Sequence, residues 1–202
     1  MIRSFIKNIS FYVPEKIITN DDLAEKMNTS DEWIQTRTGI KKRHSVGDSE
    51  AGPSDLAVKA AEKVLKKSKT AKEEIDFVIF ANSTPEYYIP GSGSAFQDKM
   101  GLHNIGVLDI RQGCAGFIYA LSIADQYIKS QTYKNILVIG SEVQTTQLNY
   151  NDEGRGTAVI FGDGAAVALL CPTLEDKGIL SSHLHTEGKY VEELGTLYPS
   201  SK

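Results

Sequence analysis

The order of apolar segments in the sequence predicts an α/β fold, in which a mainly parallel sheet carries helices on both faces. The segments 77–81 and 135–140 are short and continuously apolar, as strands covered on both faces are. An amphipathic segment begins at Pro53. With the other apolar segments it gives the order strand, helix, strand, helix, strand, which is typical of this fold class.

Short elements are predicted for the N-terminal part of the chain. Residues 2–13 alternate loosely between apolar and polar side chains and stop before a proline, which indicates one or two strand segments. Thr19 is an N-cap candidate for a short helix over 23–27. Either Thr29 or Ser30 caps a second helix, which begins directly after them.

The middle of the chain combines a long helix, a buried strand and a loop. The basic segment 41–44 is interpreted as a solvated turn. After the strand at 77–81, an apolar loop over 82–92 packs under the domain or against a partner, and a helix follows over 94–100. The helix that starts at Pro53 has one apolar stripe, formed by Leu56, Ala57, Ala60, Ala61, Val64 and Leu65.

Cys114 lies where a strand over 107–110 breaks at Gly113 and a helix begins. The first N–H groups of a helix lack intrahelical partners, and the positive end of the helix dipole favours a thiolate over a thiol there. Gly113 and Gly116 allow a substrate or another backbone to approach the sulfur closely. The alternative is an ordinary buried cysteine, the commonest fate of a free cysteine, and the residues alone leave both interpretations open.

The C-terminal part of the chain predicts a hairpin. Two apolar runs, 157–161 and 165–170, flank a Gly-Asp-Gly turn, a pattern typical of two antiparallel strands that close the sheet. The segment 178–202 holds one strand-like piece over 179–184, followed by a polar tail.

Composition excludes several classes of protein. Of the 202 residues, 41% are hydrophobic and 24% charged, as in ordinary globular proteins, and the net charge of −4 argues against nucleic acid as a partner. No apolar run is long enough to span a bilayer, and the N-terminus lacks a secretory signal, so we expect a cytoplasmic location and no membrane partner. Cys114 and Cys171 are the only cysteines, without metal-ligand spacing, so neither a metal site nor a disulfide is expected.

Trp33, the only tryptophan, has two interpretations. Aromatic side chains are commonly buried, so core packing is the simpler one. Arg37 lies four residues further on, on the same face of the predicted helix. The pair would then form a stacking and charged surface for a nucleotide.

Four motifs together carry a family resemblance. They are Asp-Glu-Trp-Ile with Arg-Thr-Gly-Ile at 31–40, Gly-Cys-Ala-Gly-Phe at 113–117, Arg-Gly-Thr at 155–157, and Phe-Gly-Asp-Gly-Ala at 161–165. In this order they resemble 3-oxoacyl-[acyl-carrier-protein] synthase III, of the thiolase superfamily. The resemblance runs from about residue 1 to about residue 190. Each motif alone would be weak, whereas the combination is specific.

The resemblance implies a fold and a division of the chain. Members have a five-layered αβαβα fold built from two similar halves, and the chain would be the N-terminal half, with a mixed, mostly parallel five-stranded sheet. Residues 1–172 would form the thiolase-like half that carries the nucleophile. Residues 173–202 would begin a second half that the chain does not complete.

The resemblance also implies a reaction that initiates fatty-acid synthesis. In members of the family a cysteine, matched by Cys114, takes an acyl group from acyl-CoA. Malonyl-acyl-carrier-protein then loses CO2 and its carbanion attacks the acyl-cysteine, so the CoA thioester is a substrate and no cofactor is needed. Phe161 matches a wall of the acyl pocket. Ile89 falls where members of this homodimeric family place an apolar side chain that closes the partner's pocket.

Four further residues match the family's nucleotide site. Trp33 and Arg155 match residues that sandwich the adenine of CoA. Arg37 and Thr29 match others near the nucleotide. These roles are implied by the resemblance and add to the stacking surface proposed above for Trp33 and Arg37.

The sequence departs from the family pattern in two places. Arg111 and Gln112 precede the cysteine motif, where the best-known subgroup has small residues, so the starter acyl group is left open. Members also carry a catalytic His and Asn in the second half, and no stretch here matches those motifs. His183 and His185 lie on a predicted strand and are interpreted as partly exposed, without a catalytic role.

Two alternative functions remain open at this point. One is a related condensing enzyme that uses the same acyl-cysteine with a different second substrate, such as a hydroxymethylglutaryl-CoA synthase or a long-chain acyl-CoA condensing enzyme. The other is a non-catalytic half-subunit that binds acyl-CoA or pairs with a separate second half. Replacement of Cys114 by alanine would leave the activity of such a module unchanged.

Overall fold

The computed structural model describes residues 2–196, and within them the chain forms the following elements. The strands are β1 (Arg3–Tyr12), β2 (Lys16–Thr19), β3 (Lys42–Ser45), β4 (Phe77–Ala81), β5 (Gly106–Ile110), β6 (Ile136–Val143) and β7 (Asp163–Thr173). The helices are α1 (Asn20–Ala24), α2 (Asp31–Thr38), α3 (Pro53–Ser68), α4 (Ser92–Met100), α5 (Gly116–Lys129) and α6 (Arg155–Ala158). None of these helices is both long and apolar enough to cross a membrane.

A five-stranded sheet in the order β1-β7-β6-β4-β5 forms the centre of the structure. Strand β4 pairs in parallel with β5 on one side and β6 on the other, whereas β7 is antiparallel to both β6 and β1. Four of the five strands therefore run in one direction. The predicted mixed, mostly parallel five-stranded sheet is confirmed.

Helices α3 and α4 cover one face of the sheet. Every residue of the apolar stripe predicted for α3 is buried, because the helix lies across β1, β6 and β7 with that stripe inward. Phe80 of β4 and Phe96 of α4 meet in this core with ring centroids 5.9 Å apart. The amphipathic pattern that began at Pro53 is thus the pattern of a helix packed on a sheet.

Helix α5 covers the opposite face. Its side chains Ala120, Ala124 and Ile128 are buried against β4, β6 and β7, whereas Ile118 on the far side is 53% exposed. The interpretation of an α/β fold with helices on both faces of the sheet is confirmed. One side of α5 lacks a covering layer within the described residues.

A third, smaller core joins the N-terminal helices to the region near residue 158. It contains Leu23, Met27 and Ile34 from the α1–α2 segment, together with Ala158 and Val159. Beside it, β2 and β3 form a two-stranded antiparallel ribbon. This core holds two segments that are far apart in the sequence against each other.

The predicted hairpin at 157–170 is wrong. Residues Arg155–Ala158 form the short helix α6, and β7 begins only at Asp163 and pairs with β6 and β1. The carboxylate of Asp163 accepts 2.8 Å hydrogen bonds from the backbone N–H groups of Gln144 and Thr145. The Gly-Asp-Gly segment therefore anchors the start of β7 beside the end of β6.

Two other local interpretations are wrong as well. Residues 42–44 of the basic segment 41–44 belong to β3. Arg43 among them is buried, because its guanidinium finds oxygen acceptors inside the protein. The piece 179–184 forms no strand in the described structure, and His183 and His185 are exposed there. The domain boundary after residue 172, close to the end of β7 at Thr173, stays a prediction, and 197–202 lie outside the described residues.

The different burial of two phenylalanines predicts different losses of stability when each is replaced by alanine. Phe80 is fully buried, so Phe80→Ala should lower the free energy of unfolding by about 3–5 kcal/mol, because a cavity replaces the ring. Phe11, on the edge strand β1, is 67% exposed, so Phe11→Ala should change it by less than about 0.5 kcal/mol. Urea unfolding of the two variants measures both values, and equal losses would contradict the packing described here.

Candidate active site

Cys114 lies in a short 3-10 turn, Gly113–Ala115, that connects β5 to α5. Gly113 has φ +52°, a left-handed conformation that favours glycine, and it allows the chain to turn sharply after the strand. The thiol of Cys114 is free and exposed. The predicted break between strand and helix is confirmed, and the interpretation of Cys114 as a buried cysteine is wrong.

The N-terminus of α5 lies directly on the ends of the central strands. A Cβ added at Gly116 would lie 3.2 Å from the Cβ of Ala81, and one added at Gly140 would lie 3.2 Å from the ring of Phe117. Within the described part of the chain, no side chain caps the first N–H groups of α5. Of these donors, the N–H of Gly116 is bonded to the backbone oxygen of Gly113, and the N–H groups that follow it have no side-chain cap.

A cavity of about 290 Å³ lies at the C-terminal end of β5, the strand that precedes this turn. Its walls come from the loop after β4 and from the end of β5, and they include Tyr88, Ile89, Asp109 and Arg111. Ile89 is 80% exposed at the tip of the loop. Arg111, the residue that departs from the family pattern, places its guanidinium 5.1 Å from the ring centroid of Tyr88. The guanidinium of Arg111 thus lies over the ring of Tyr88, in the loop after β4.

Half-buried carboxylates anchor both ends of the loop after β4. Glu142, at the end of β6, accepts hydrogen bonds from the backbone N–H groups of Ser83 (2.7 Å) and Thr84 (3.0 Å). Asp109 of β5 accepts the N–H of Gly93 at 2.9 Å. Burial raises the pKa of both carboxyl groups. The loop that carries Ile89 is therefore fixed at its base, while its tip faces solvent.

These two carboxylates were missed by the sequence analysis. Glu142 follows the apolar run 135–140, and Asp109 interrupts the strand before the cysteine. An acidic residue at the C-terminal end of a buried strand is an unusual position for a charge, because charged groups are rarely buried without partners. An acidic residue at the end of an apolar strand is therefore the sequence signal that identifies Glu142 and Asp109.

A second group of side chains forms around Trp33. The guanidinium of Arg37 lies 4.3 Å from the centroid of the indole, and that of Arg155 lies 5.0 Å from it. Arg155 also donates to the backbone oxygen of Asn28 at 2.7 Å. The indole is partly exposed and packs with its other edge on the third core. The structure thus brings together three residues proposed for nucleotide binding.

Two further predicted site residues lie close in sequence to the Trp33 group: Thr29 shortly before Trp33, and Phe161 shortly after Arg155. Thr29 lies just before α2, whose N-cap is Ser30, and the Thr29 hydroxyl is buried without a hydrogen-bond partner in the described structure. Phe161 is partly buried and follows the short helix α6. The roles assigned to Thr29, Phe161 and Ile89 stay predictions.

The comparisons with known proteins agree with the motifs. Residues 108–188 match the family model for 3-oxoacyl-[acyl-carrier-protein (ACP)] synthase III. A β-ketoacyl-[acyl-carrier-protein] synthase III of Ehrlichia canis is 45% identical over 197 residues, which is 97% of this chain and 61% of the relative. A second relative, β-ketoacyl-[acyl-carrier-protein] synthase III 2 of Bacteroides thetaiotaomicron, is 40% identical over 188 residues, or 93% of this chain and 56% of the relative.

Solved structures show the same likeness. The 3-oxoacyl-[acyl-carrier-protein] synthase III of Aquifex aeolicus superimposes with a TM-score of 0.87 at 37% identity, covering 92% of this chain and 59% of that one. The corresponding enzyme of Thermus thermophilus gives a TM-score of 0.88 at 37% identity, covering 95% and 58%. The fold is therefore thiolase-like.

The sequence matches reported above name the same family as the four motifs. The chain is homologous to 3-oxoacyl-[acyl-carrier-protein] synthase III over nearly its whole length, so the resemblance drawn from the four motifs is confirmed. It spans 56% and 61% of the length of the two curated relatives.

The different surroundings of the two cysteines predict different reactivity. Cys171 lies buried on β7, and burial raises the pKa of its thiol, so less of it is ionised at neutral pH. Iodoacetamide should therefore label Cys114 and leave Cys171 free in the folded protein. Peptide mass spectrometry locates the label, and labelling of Cys171 at a rate equal to that of Cys114 would contradict the structure.

Proposed function

We propose that this chain is the nucleophile-bearing part of an acyltransferase of the 3-oxoacyl-[acyl-carrier-protein] synthase III type. Its substrates would be an acyl-CoA and malonyl-acyl-carrier-protein. The observation that carries the proposal is the exposed thiol of Cys114 at the turn between β5 and the uncapped N-terminus of α5. This arrangement places a nucleophile beside the N-terminus of a helix that no side chain caps within the described residues.

In the first step the sulfur of Cys114 attacks the carbonyl carbon of the acyl-CoA thioester. The negative charge that develops on the carbonyl oxygen needs preorganised hydrogen-bond donors, and the N–H of Cys114 is one candidate. The carbon–sulfur bond to CoA then breaks, and CoA leaves as a thiol with the proton that Cys114 gives up. The product is an acyl group bonded to Cys114.

In the second step the malonyl group loses CO2, and the carbanion left behind attacks the acyl carbon on Cys114. The bond between that carbon and the sulfur breaks, which frees the enzyme and gives a 3-oxoacyl product on the carrier protein. The family resemblance assigns the support of this step to a histidine and an asparagine in a second half. No residue of the present chain is proposed for it.

The group around Trp33 would bind the adenine nucleotide of CoA. A flat, partly exposed indole with guanidinium groups 4.3 and 5.0 Å from its centroid offers a stacking surface and two cations. Adenine would stack on Trp33 with Arg155 on its other face once the Arg155 side chain moves away from the indole, since a spacing of 5.0 Å leaves no room for a ring between them. The phosphates of CoA would meet the positive charge of the two arginines. Thr29 would add a hydroxyl near the same site.

The exposed loop tip is the basis for proposing a homodimer. Ile89, with Tyr87 and Tyr88 beside it, presents apolar side chains to solvent on a loop anchored at its base. An apolar tip of this kind gains stability when a partner covers it. We propose that Ile89 closes the acyl pocket of a second copy, that Phe161 lines the pocket, and that the protein works in the cytoplasm.

The first step can be tested with acetyl-CoA alone. Incubation should add an acetyl group to Cys114, which intact mass and peptide mass spectrometry detect. Cys171→Ala should be acetylated like the unchanged protein, because Cys171 is buried. Cys114→Ala should gain no adduct. Equal acetylation of the Cys114→Ala variant would refute the nucleophile.

Nucleotide binding can be tested separately from acylation. Trp33 is the only tryptophan in the chain, so CoA stacked on it should quench the protein's fluorescence. Arg155→Met should weaken binding by roughly five- to thirtyfold, because a desolvated cation–π contact contributes about 1–2 kcal/mol.

The matched control for Arg155→Met is Arg3→Met, which removes an arginine of strand β1 that forms an ion pair with Asp176. It should leave the CoA titration unchanged. A CoA affinity unaffected by Arg155→Met would contradict the proposed nucleotide site.

A further inference from the structure

Arg43 is a buried cation on the small ribbon strand β3. Only 4% of its surface is exposed, and no carboxylate of the described residues forms an ion pair with it. Its guanidinium donates to the side-chain oxygen of Asn20 at 2.9 Å and to the backbone oxygen of Val159 at 3.0 Å. A third bond of 3.3 Å reaches the backbone oxygen of Ile18. The two terminal nitrogens of the guanidinium therefore bond to neutral oxygens from separate parts of the chain, whereas its Nε is buried without a partner in the described structure.

Asn20 continues this network to the start of α2. It is itself fully enclosed, and its amide nitrogen donates to Asp31 and to the backbone oxygen of Ile40, both at 2.8 Å. Asp31 is the first residue of α2, and its second oxygen accepts from Gln35 at 2.6 Å. A continuous set of hydrogen bonds thus joins Val159 to the first turn of α2 through Arg43 and Asn20.

The hydrogen-bond network ends at the two segments that supply the Trp33 group: helix α2 carries Trp33, and helix α6 carries Arg155. Trp33 lies two residues after Asp31 on α2, and Val159 is the C-cap residue directly after α6, four residues after Arg155. Helix α6 has only four residues, too few to hold a fixed position by its own hydrogen bonds. Its placement relative to α2 must come from tertiary contacts. Besides the apolar contacts of the third core, Arg43 supplies such a contact directly at the end of α6.

We propose that Arg43 is a positioning residue for the CoA nucleotide site. It acts through Val159 on one side and through Asn20 and Asp31 on the other, and it thereby fixes the segment that carries Arg155 beside the helix that carries Trp33. The proposal rests on the proposed function, since it concerns the same nucleotide site. Arginine suits the task because a guanidinium stays charged and offers several donors in one plane, so it can bind acceptors from separate segments at once.

The first test is a titration of the full chain with CoA, in which the fluorescence of Trp33 reports binding. Arg43→Met keeps an unbranched apolar side chain but removes the donors, and it should weaken CoA binding about tenfold, a difference of about 1.4 kcal/mol. Lys42→Met alters the neighbouring, exposed residue of the same strand, and its affinity should stay within about twofold of the unchanged chain. Equal affinities for the two variants would overturn the proposal.

A second readout separates positioning from a general loss of structure. The rate of acetylation of Cys114 is compared for acetyl-CoA and for acetyl-N-acetylcysteamine, a thioester that lacks the nucleotide. Arg43→Met should slow the reaction with acetyl-CoA at subsaturating concentration and leave that with the short thioester unchanged. An equal slowing of both reactions would show a merely structural role and overturn the proposal.

A second pair of variants covers the case in which Arg43→Met fails to fold. Asp31→Ala removes the link between Asn20 and α2, and Glu32→Ala removes the neighbouring exposed acid from the same first turn of the helix. Both lose the same favourable interaction with the helix dipole. Only Asp31→Ala should weaken CoA binding, by several-fold, and equal affinities would overturn the proposal. Absence of CoA binding by the unchanged chain would instead refute the proposed function itself.

Discussion

The close contact between the N-terminus of α5 and the ends of two parallel strands is the constraint on which the candidate site depends. Ala81 ends β4, and Gly116 leaves room for the helix to approach it, as Gly140 of β6 does for Phe117. Because β4, β5 and β6 run in the same direction, their C-terminal ends meet at one edge of the sheet. The cysteine turn, the loop after β4 and the end of β6 are therefore neighbours there.

Polar side chains that are wholly or partly buried fix the irregular segments around this edge. Glu142 and Asp109 bind the two ends of the loop after β4, Asp163 binds the turn after β6, and Arg43 binds the end of α6. Such segments lack the regular hydrogen bonds of a sheet or a long helix, so side chains must supply the partners of their backbone groups. Burial raises the pKa of Glu142 and Asp109, because desolvation of the charged form outweighs the hydrogen bonds that favour it.

The sequence predicted the parts of the fold that follow from local patterns. The uniformly apolar β4 and the stripe of α3 are direct consequences of burial, and the break at Gly113 marks the turn that carries Cys114. The hairpin failed because an apolar run and a glycine turn do not say which strands pair. Strand β7 pairs with β6 and with β1, which lies at the other end of the chain.

The parts of the site that the sequence did not reveal depend on contacts between distant residues. Arg43 lies in a basic segment, which on its own indicates solvent exposure, and its acceptor Val159 is more than a hundred positions away. The proximity of Arg155 to Trp33 was accessible only through the family resemblance. Local patterns could suggest Trp33 with Arg37, because those two lie on one face of α2.

The central claim is that one CoA molecule reaches from the Trp33 group to the sulfur of Cys114. A crystal structure of the protein with CoA bound tests this most directly. The account predicts the adenine ring between Trp33 and Arg155 and the CoA sulfur in van der Waals contact with Cys114. A structure in which the adenine lies away from Trp33, or in which the pantetheine arm ends elsewhere than at Cys114, would contradict it.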